Sequence, residues 1–137
     1  GLIADALFVS DDFIQNNRET AVKATQALFA GVEYWRENPT EANEIIAEAT
    51  GFTIEDVQGI LGGENNPEDG TLYMYSLEEA GQFCGVVPGS PPFGQKNGQM
   101  TEHWALTNNW WITFGLMDEK IPPEQGIDCG LLEGASM

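Results

Sequence analysis

Apolar residues recur every three or four positions along much of the chain, which is the spacing of helices that bury one face. The clearest case is residues 18–37, where one stripe carries the apolar side chains Ala21, Val22, Leu28, Phe29, Val32 and Trp35. The stretch ends at Asn38-Pro39, because the residue before a proline disfavours helical backbone. The spacing therefore predicts a long helix over 18–37.

Further helices are indicated by their caps. Thr40, Thr53, Ser76 and Thr101 each stand where a side-chain oxygen can accept backbone N–H groups at the start of a helix. The helices that begin there are predicted to end near residues 51, 62, 84 and 115. The predicted buried positions are Ala42, Ile45, Ile46 and Ala49 on the helix after Thr40, and Trp104, Trp111 and Phe114 on the helix after Thr101. Ser10 caps a short helix ahead of residue 18. The pattern thus predicts about five main helices.

One short apolar run has a different pattern. Ala6-Leu7-Phe8-Val9 is continuous and bounded by polar residues, which is typical of a buried strand, and residues 71–75 are either a second strand or an extended connector. A single strand needs neighbours for its backbone N–H and C=O groups, from another chain or from sequence outside these 137 residues. We therefore predict a helix-rich α/β fold with one or two strands, in a single incomplete domain over 1–137.

The charge is strongly acidic. The chain has 22 acidic and five basic residues, a formal net charge of −17, and no basic residue lies between Glu37 and Gln95. Binding to phosphates needs clustered lysine and arginine, so nucleic acid and anionic lipid are excluded as partners. The 42% hydrophobic content is enough for a buried core.

The two cysteines, Cys84 and Cys129, leave two alternatives open. They are either separate reduced core cysteines or one disulfide in an oxidising compartment. With a single histidine in the chain, they cannot form the usual four-ligand zinc site, and we predict no metal and no cofactor.

Few residues indicate chemistry. His103 has no partner at triad-like spacing, so we predict no catalytic residue and no enzyme activity. Lys96 stands alone in a loop rich in glycine and proline, where it could bind an anion. Trp110 and Trp111 are adjacent and cannot both lie centrally on one helix face, so one of them meets a ligand or a partner. The candidate ligand-binding residues are Lys96, His103, Trp104 and Trp110.

Three stretches together resemble one family, the periplasmic solute-binding proteins of ABC importers of the nitrate/sulfonate/taurine type. Residues 10–17, Ser-Asp-Asp-Phe-Ile-Gln-Asn-Asn, resemble the start of the family's long helix. Residues 38–51 begin with Asn-Pro-Thr-Glu-Ala and end with Thr-Gly, which is similar to its next helix. Residues 127–132, Ile-Asp-Cys-Gly-Leu-Leu, are similar to its C-terminal motif.

The resemblance implies the C-terminal portion of the first lobe of a two-lobe protein with the periplasmic binding protein type 2-like fold. It also implies a periplasmic or extracytoplasmic location, no enzyme activity, and capture of a small solute for a membrane permease. The solute would be a sulfonate, nitrate, bicarbonate or a pyrimidine-like compound. Exposed strand edges would allow a homo-oligomer. Two alternatives are an acidic helical protein-interaction module and a relative that makes the pyrimidine precursor of thiamine.

Overall fold

The computed structural model describes residues 6–63 and 70–136, and in these two ranges the backbone forms seven α-helices. They are α1 (Asp11–Glu37), α2 (Pro39–Thr50), α3 (Ile54–Leu61), α4 (Leu77–Cys84), α5 (Met100–Thr113), α6 (Pro123–Gly126) and α7 (Gly130–Ala135). None of these helices combines the length and the apolar composition that spanning a bilayer requires.

The predicted α/β fold is wrong, because the described residues contain helices and no strand. Residues 6–9 and 71–75 have no regular secondary structure, and the Phe8 side chain is 87% exposed. The physical reason is the absence of a neighbouring strand, since an apolar run alone cannot satisfy the polar groups of its own backbone. The strand edges that we predicted for a homo-oligomer are also lacking in residues 6–63 and 70–136.

Three of the predicted caps, Ser10, Thr53 and Ser76, are confirmed by their contacts, whereas Thr40 lies inside α2, which begins at Pro39. The Ser10 hydroxyl accepts a hydrogen bond from the Phe13 N–H at 3.2 Å. The short helix that begins there joins the predicted long helix in α1, with a non-helical Asn17 (φ −138°, ψ 35°) between them. Both Thr53 and Ser76 form complete capping boxes, with Asp56 and Glu79 respectively. These contacts are local, so the sequence contains all the residues they need.

The start of α5 differs from the prediction. The helix begins at Met100, and the Thr101 hydroxyl donates to the Gly98 carbonyl oxygen at 3.2 Å and does not cap the helix. Trp111 and Phe114, which we predicted as buried, are 49% and 67% exposed. Asn108 is the buried residue of α5.

The hydrophobic core lies where the end of α1 packs against α2, and α2 against α3. It consists of Trp35, Ala42, Ala47, Val57 and Leu61, with Ile46 and Met74 packed against it. Asn43 is fully buried beside this core. Its side-chain oxygen accepts the indole N–H of Trp35 at 2.9 Å, and its amide donates to the Gly62 carbonyl oxygen at 2.9 Å. One polar side chain therefore connects all three helices.

A second contact region joins the two ends of the described chain. Helix α7 packs against α1 and α4, with Ala21 and Thr25 of α1 and Ala135 of α7 buried. A Cβ atom on Gly134 would lie 3.1 Å from the Val22 side chain, so the absence of a side chain at this position allows the close approach of α7 to α1.

Candidate functional site

A cavity of about 380 Å³ lies between residues 7–9, the start of α1 and the segment around α6 and α7. This volume is within the range of small-molecule sites. The exposed surface of its walls is more polar than apolar, and they consist of Leu7, Phe8, Val9, Asp11, Ile14, Gln15, Glu124, Gln125, Gly126, Ile127, Asp128 and Leu131. Two stretches that resemble the solute-binding family, residues 10–17 and 127–132, therefore face each other here.

An ion pair connects the second of these stretches to Arg18, the residue that follows the first. The Arg18 guanidinium donates to both carboxylate oxygens of Asp128, at 2.7 and 3.1 Å. These hydrogen bonds lower the pKa of Asp128, although burial opposes them, and the backbone N–H groups of Gly130 and Leu131 lower it further. A Cβ on Gly130 would stand 2.7 Å from the Arg18 Nη2 atom, so the glycine leaves room for the guanidinium.

The charge of the cavity favours some ligands over others. Arg18 neutralises Asp128, whereas no lysine or arginine among the described residues pairs with Asp11 or Glu124. The remaining charge on the wall is therefore negative, which repels an anion at short range. An uncharged or cationic ligand suits this cavity better than a sulfonate, nitrate or bicarbonate.

The four candidate ligand-binding residues lie on or near α5 and do not line the cavity. Two of them meet at Gln99, whose side-chain oxygen accepts the Lys96 backbone N–H at 2.7 Å and whose amide nitrogen lies 3.5 Å from His103 Nε2. The Lys96 ammonium pairs with Glu102 at 3.6 Å. The His103 ring lies edge-on to Phe83, with ring centroids 5.2 Å apart. Lys96 and His103 thus have protein partners.

The two tryptophans are on different sides of α5. The Trp104 indole N–H donates to the Ile121 carbonyl oxygen at 2.7 Å, and its ring covers Gly126. Trp110 stacks on Phe114, with centroids 5.7 Å apart, and is 52% exposed. The sequence-based set of candidates therefore does not converge on one site.

The close contact of Trp104 with Gly126 gives a testable prediction. A Cβ at position 126 would overlap the Trp104 ring, so we expect Gly126→Ala to lower the free energy of unfolding by about 1–3 kcal/mol in urea unfolding. Gly31→Ala is the matched control, since no atom lies within 4 Å of a Cβ there and alanine favours a helix interior. If Gly126→Ala and Gly31→Ala were equally stable, the close packing of the Trp104 ring on Gly126 would be contradicted.

A polar cluster that the sequence did not predict is formed by Arg36, Tyr73 and Glu79. Arg36 donates to the Glu79 carboxylate at 2.9 Å and to the Met74 carbonyl oxygen at 2.7 Å, and the Tyr73 hydroxyl donates to Glu79 at 2.7 Å. Arg36 is also the only basic residue in the last turn of α1. In the sequence, Arg36 stands out as a lone arginine before a long acidic stretch. This position does not identify its partners, because they are 37 or more residues away.

Burial and hydrogen bonding act in opposite directions on this cluster. Burial raises the pKa of Glu79, but hydrogen bonds from the Ser76 N–H, the Tyr73 hydroxyl and Arg36 outweigh it, so the net pKa is lowered. Burial also raises the pKa of Tyr73, and the nearby Glu79 raises it further. The cluster fixes the connector between α3 and α4 to the end of α1, which is a structural role.

We expect Glu79→Gln to reduce stability by about 1–2 kcal/mol at pH 7, less than for a fully buried pair. Because the folded-state pKa of Glu79 is below its unfolded value of about 4.3, this stability is complete above the unfolded pKa. It is lost as the pH falls through the folded pKa. Urea unfolding from pH 7 to pH 2 measures the difference, and Glu78→Gln is the exposed neighbouring control. If the difference in free energy of unfolding between Glu79→Gln and the natural protein stayed constant over this pH range, the lowered pKa of Glu79 would be refuted.

The structure joins Cys84 and Cys129 in a disulfide with Cα atoms 5.8 Å apart, which is one of the two alternatives that the sequence leaves open. The bond links the end of α4 to the residue before α7. In the described residues, no group of three or more histidine, cysteine, aspartate or glutamate side chains is placed to hold a metal ion.

Comparison with known proteins found no match to a protein-family model, a curated protein or a solved structure.

Proposed function

We propose that the chain belongs to the solute-binding component of an ABC importer, which captures a small solute outside the cytoplasm and delivers it to a membrane permease. One observation carries the proposal: a cavity of ligand size lies between two stretches that resemble this family, and Asp128 on its wall pairs with Arg18, the residue after the first stretch and 110 positions away. The proposal concerns capture and delivery and includes no chemical step. It does not include the α/β lobe that the resemblance implies.

The disulfide supports the extracytoplasmic part of the proposal. Disulfides form and persist in oxidising compartments such as the bacterial periplasm and are rare in the cytosol. Cys84 and Cys129 are paired, and the described residues contain no free cysteine.

The cavity walls favour one of the ligand classes that the resemblance suggests. Asp11 and Glu124 repel anions, while Leu7, Ile14 and Ile127 offer apolar contact. An uncharged ring with hydrogen-bonding groups, such as a pyrimidine-like compound, fits both features. We therefore place this class ahead of sulfonates, nitrate and bicarbonate.

Calorimetric titration and solute uptake test the proposal. The protein as its gene encodes it, purified in oxidised form from its host, is titrated with a pyrimidine, taurine, nitrate and bicarbonate. We expect heat from the pyrimidine, at least about tenfold weaker affinity in Ile14→Glu, and no change in Ile45→Glu, whose side chain is outside the cavity. A strain lacking the gene should lose uptake of the bound compound. Absence of heat from all four compounds would contradict the proposal.

The acidic protein-interaction module is the second candidate, favoured by the exposed apolar side chains of α5. Leu106, Trp110 and Phe114 are 54%, 52% and 67% exposed. Solute uptake that is unchanged in the strain lacking the gene would favour this module over the importer.

A further inference from the structure

Helix α5 exposes its apolar side and buries a polar residue. Asn108 is 4% exposed, and its amide donates to the Trp104 carbonyl oxygen while its side-chain oxygen accepts the Ile121 N–H at 2.7 Å. About half a turn away around the helix, Leu106, Trp110 and Phe114 are spaced four residues apart and form one stripe, which we call the outer face of α5. Water contacts this face, although its residues are of the types that proteins bury.

The outer face also lies in a stretch of the chain without charged side chains. Residues 103–117 contain no aspartate, glutamate, lysine or arginine, in a chain with 22 acidic residues and a net charge of −17. Two copies of such a chain repel each other wherever their carboxylates meet. Two copies can approach through an uncharged apolar stripe with little electrostatic cost. We propose that the outer face of α5 is the interface of a symmetric homodimer.

The exposed area is enough for a weak dimer. A buried aromatic side chain covers about 150–250 Å². The three stripe residues, together with the half-exposed Trp111 and the 70% exposed Leu116 that follows α5, offer on the order of 500 Å² per copy. The dimer would therefore bury about 1,000 Å² in total, which is the lower limit for a specific interface.

A second copy explains the face better than a basic partner does. A basic partner would be attracted to the acidic sequence of residues 37–95, which contains 11 acidic residues and no lysine or arginine, and not to the uncharged stripe. In a two-fold dimer, the same stripe meets itself, so that the stacked rings of Trp110 and Phe114 contact those of the other copy.

Sedimentation equilibrium of the oxidised protein, over about 1–500 µM, tests the proposal. We expect a monomer–dimer equilibrium with a dissociation constant of order 10–100 µM, tightened by raising the salt concentration because salt screens the repulsion. Leu106→Glu should weaken dimerisation at least about tenfold. Ile45→Glu on α2 is the matched control, because Ile45 and Leu106 are both 54% exposed, and it should leave the dimer intact.

Circular dichroism and thermal unfolding verify that both variants are folded. A monomer at every concentration and salt level would overturn the proposal, and so would equal weakening by Leu106→Glu and Ile45→Glu. Dimerisation that becomes weaker with added salt would also overturn it, since that result indicates pairing between opposite charges.

Discussion

Replacing both Cys84 and Cys129 with alanine should reduce the free energy of unfolding by about 4 kcal/mol. The bond spans a sequence separation of 45 residues, and on the chain-entropy model a loop of this length restricts the unfolded chain by about that amount. For a domain of this size, such a loss is a large part of the total stability. Urea unfolding of the double variant, beside the oxidised protein, measures it.

The structure also indicates where the loss would appear first. Helix α7 is only six residues long, and the disulfide fixes the residue before it to the end of α4. Short helices depend on tertiary contacts, so we expect faster amide hydrogen exchange in α7 before the core around Trp35 is affected.

The reduced natural protein is the control for this prediction, because it retains both cysteine side chains. It should unfold at the same urea concentration as the double alanine variant. Unfolding of the double variant at the urea concentration of the oxidised protein would contradict the prediction.

The sequence predicted those features that depend on neighbouring residues. The caps at Ser10, Thr53 and Ser76 and the left-handed Gly51 at the end of α2 each involve residues within four positions of one another. At these four positions the contacts that start or end the helix are local, so a single sequence is enough to place them.

The strand prediction failed because a strand depends on residues elsewhere in the chain or in a partner. The apolar run at 6–9 has a strand pattern, but pairing needs a neighbour that its own residues cannot specify. The ion pair beside the cavity could not be predicted for a similar reason. Arg18 and Asp128 are 110 residues apart, and neither residue indicates the other by its local context.

On two helices, residue type gave the wrong prediction of which side chains are buried. On α5, Trp111 and Phe114 were predicted to be buried because they are large and apolar, yet the helix buries Asn108, whose amide holds the backbone of Ile121. On α2, the predicted buried face included Ile45, which is 54% exposed, and omitted Asn43, which is fully buried. In both helices, a polar side chain is buried because it satisfies backbone groups that would otherwise lack partners.

The fully buried Asn43 leads to the second large expected effect. Asn43→Ala removes the acceptor of the Trp35 indole N–H and the donor to the Gly62 carbonyl oxygen. Each buried group left without its partner costs about 1–3 kcal/mol, so we expect a loss on the order of 3 kcal/mol in urea unfolding. The better helix propensity of alanine offsets only part of it. Asn109→Ala, at an exposed position of α5, is the control and should change stability by less than about 0.5 kcal/mol.

A double-mutant cycle with Trp35→Phe separates the hydrogen bond from other effects of the substitution. Phenylalanine retains the aromatic packing in the core but has no N–H, so Asn43→Ala should cost less in the Trp35→Phe background than in the natural protein. The difference measures the link between α1 and α2, and the remaining cost reports the bond to Gly62 after α3. Equal costs in the two backgrounds would mean that the indole hydrogen bond does not contribute to stability. Asn43 would then act through Gly62 alone.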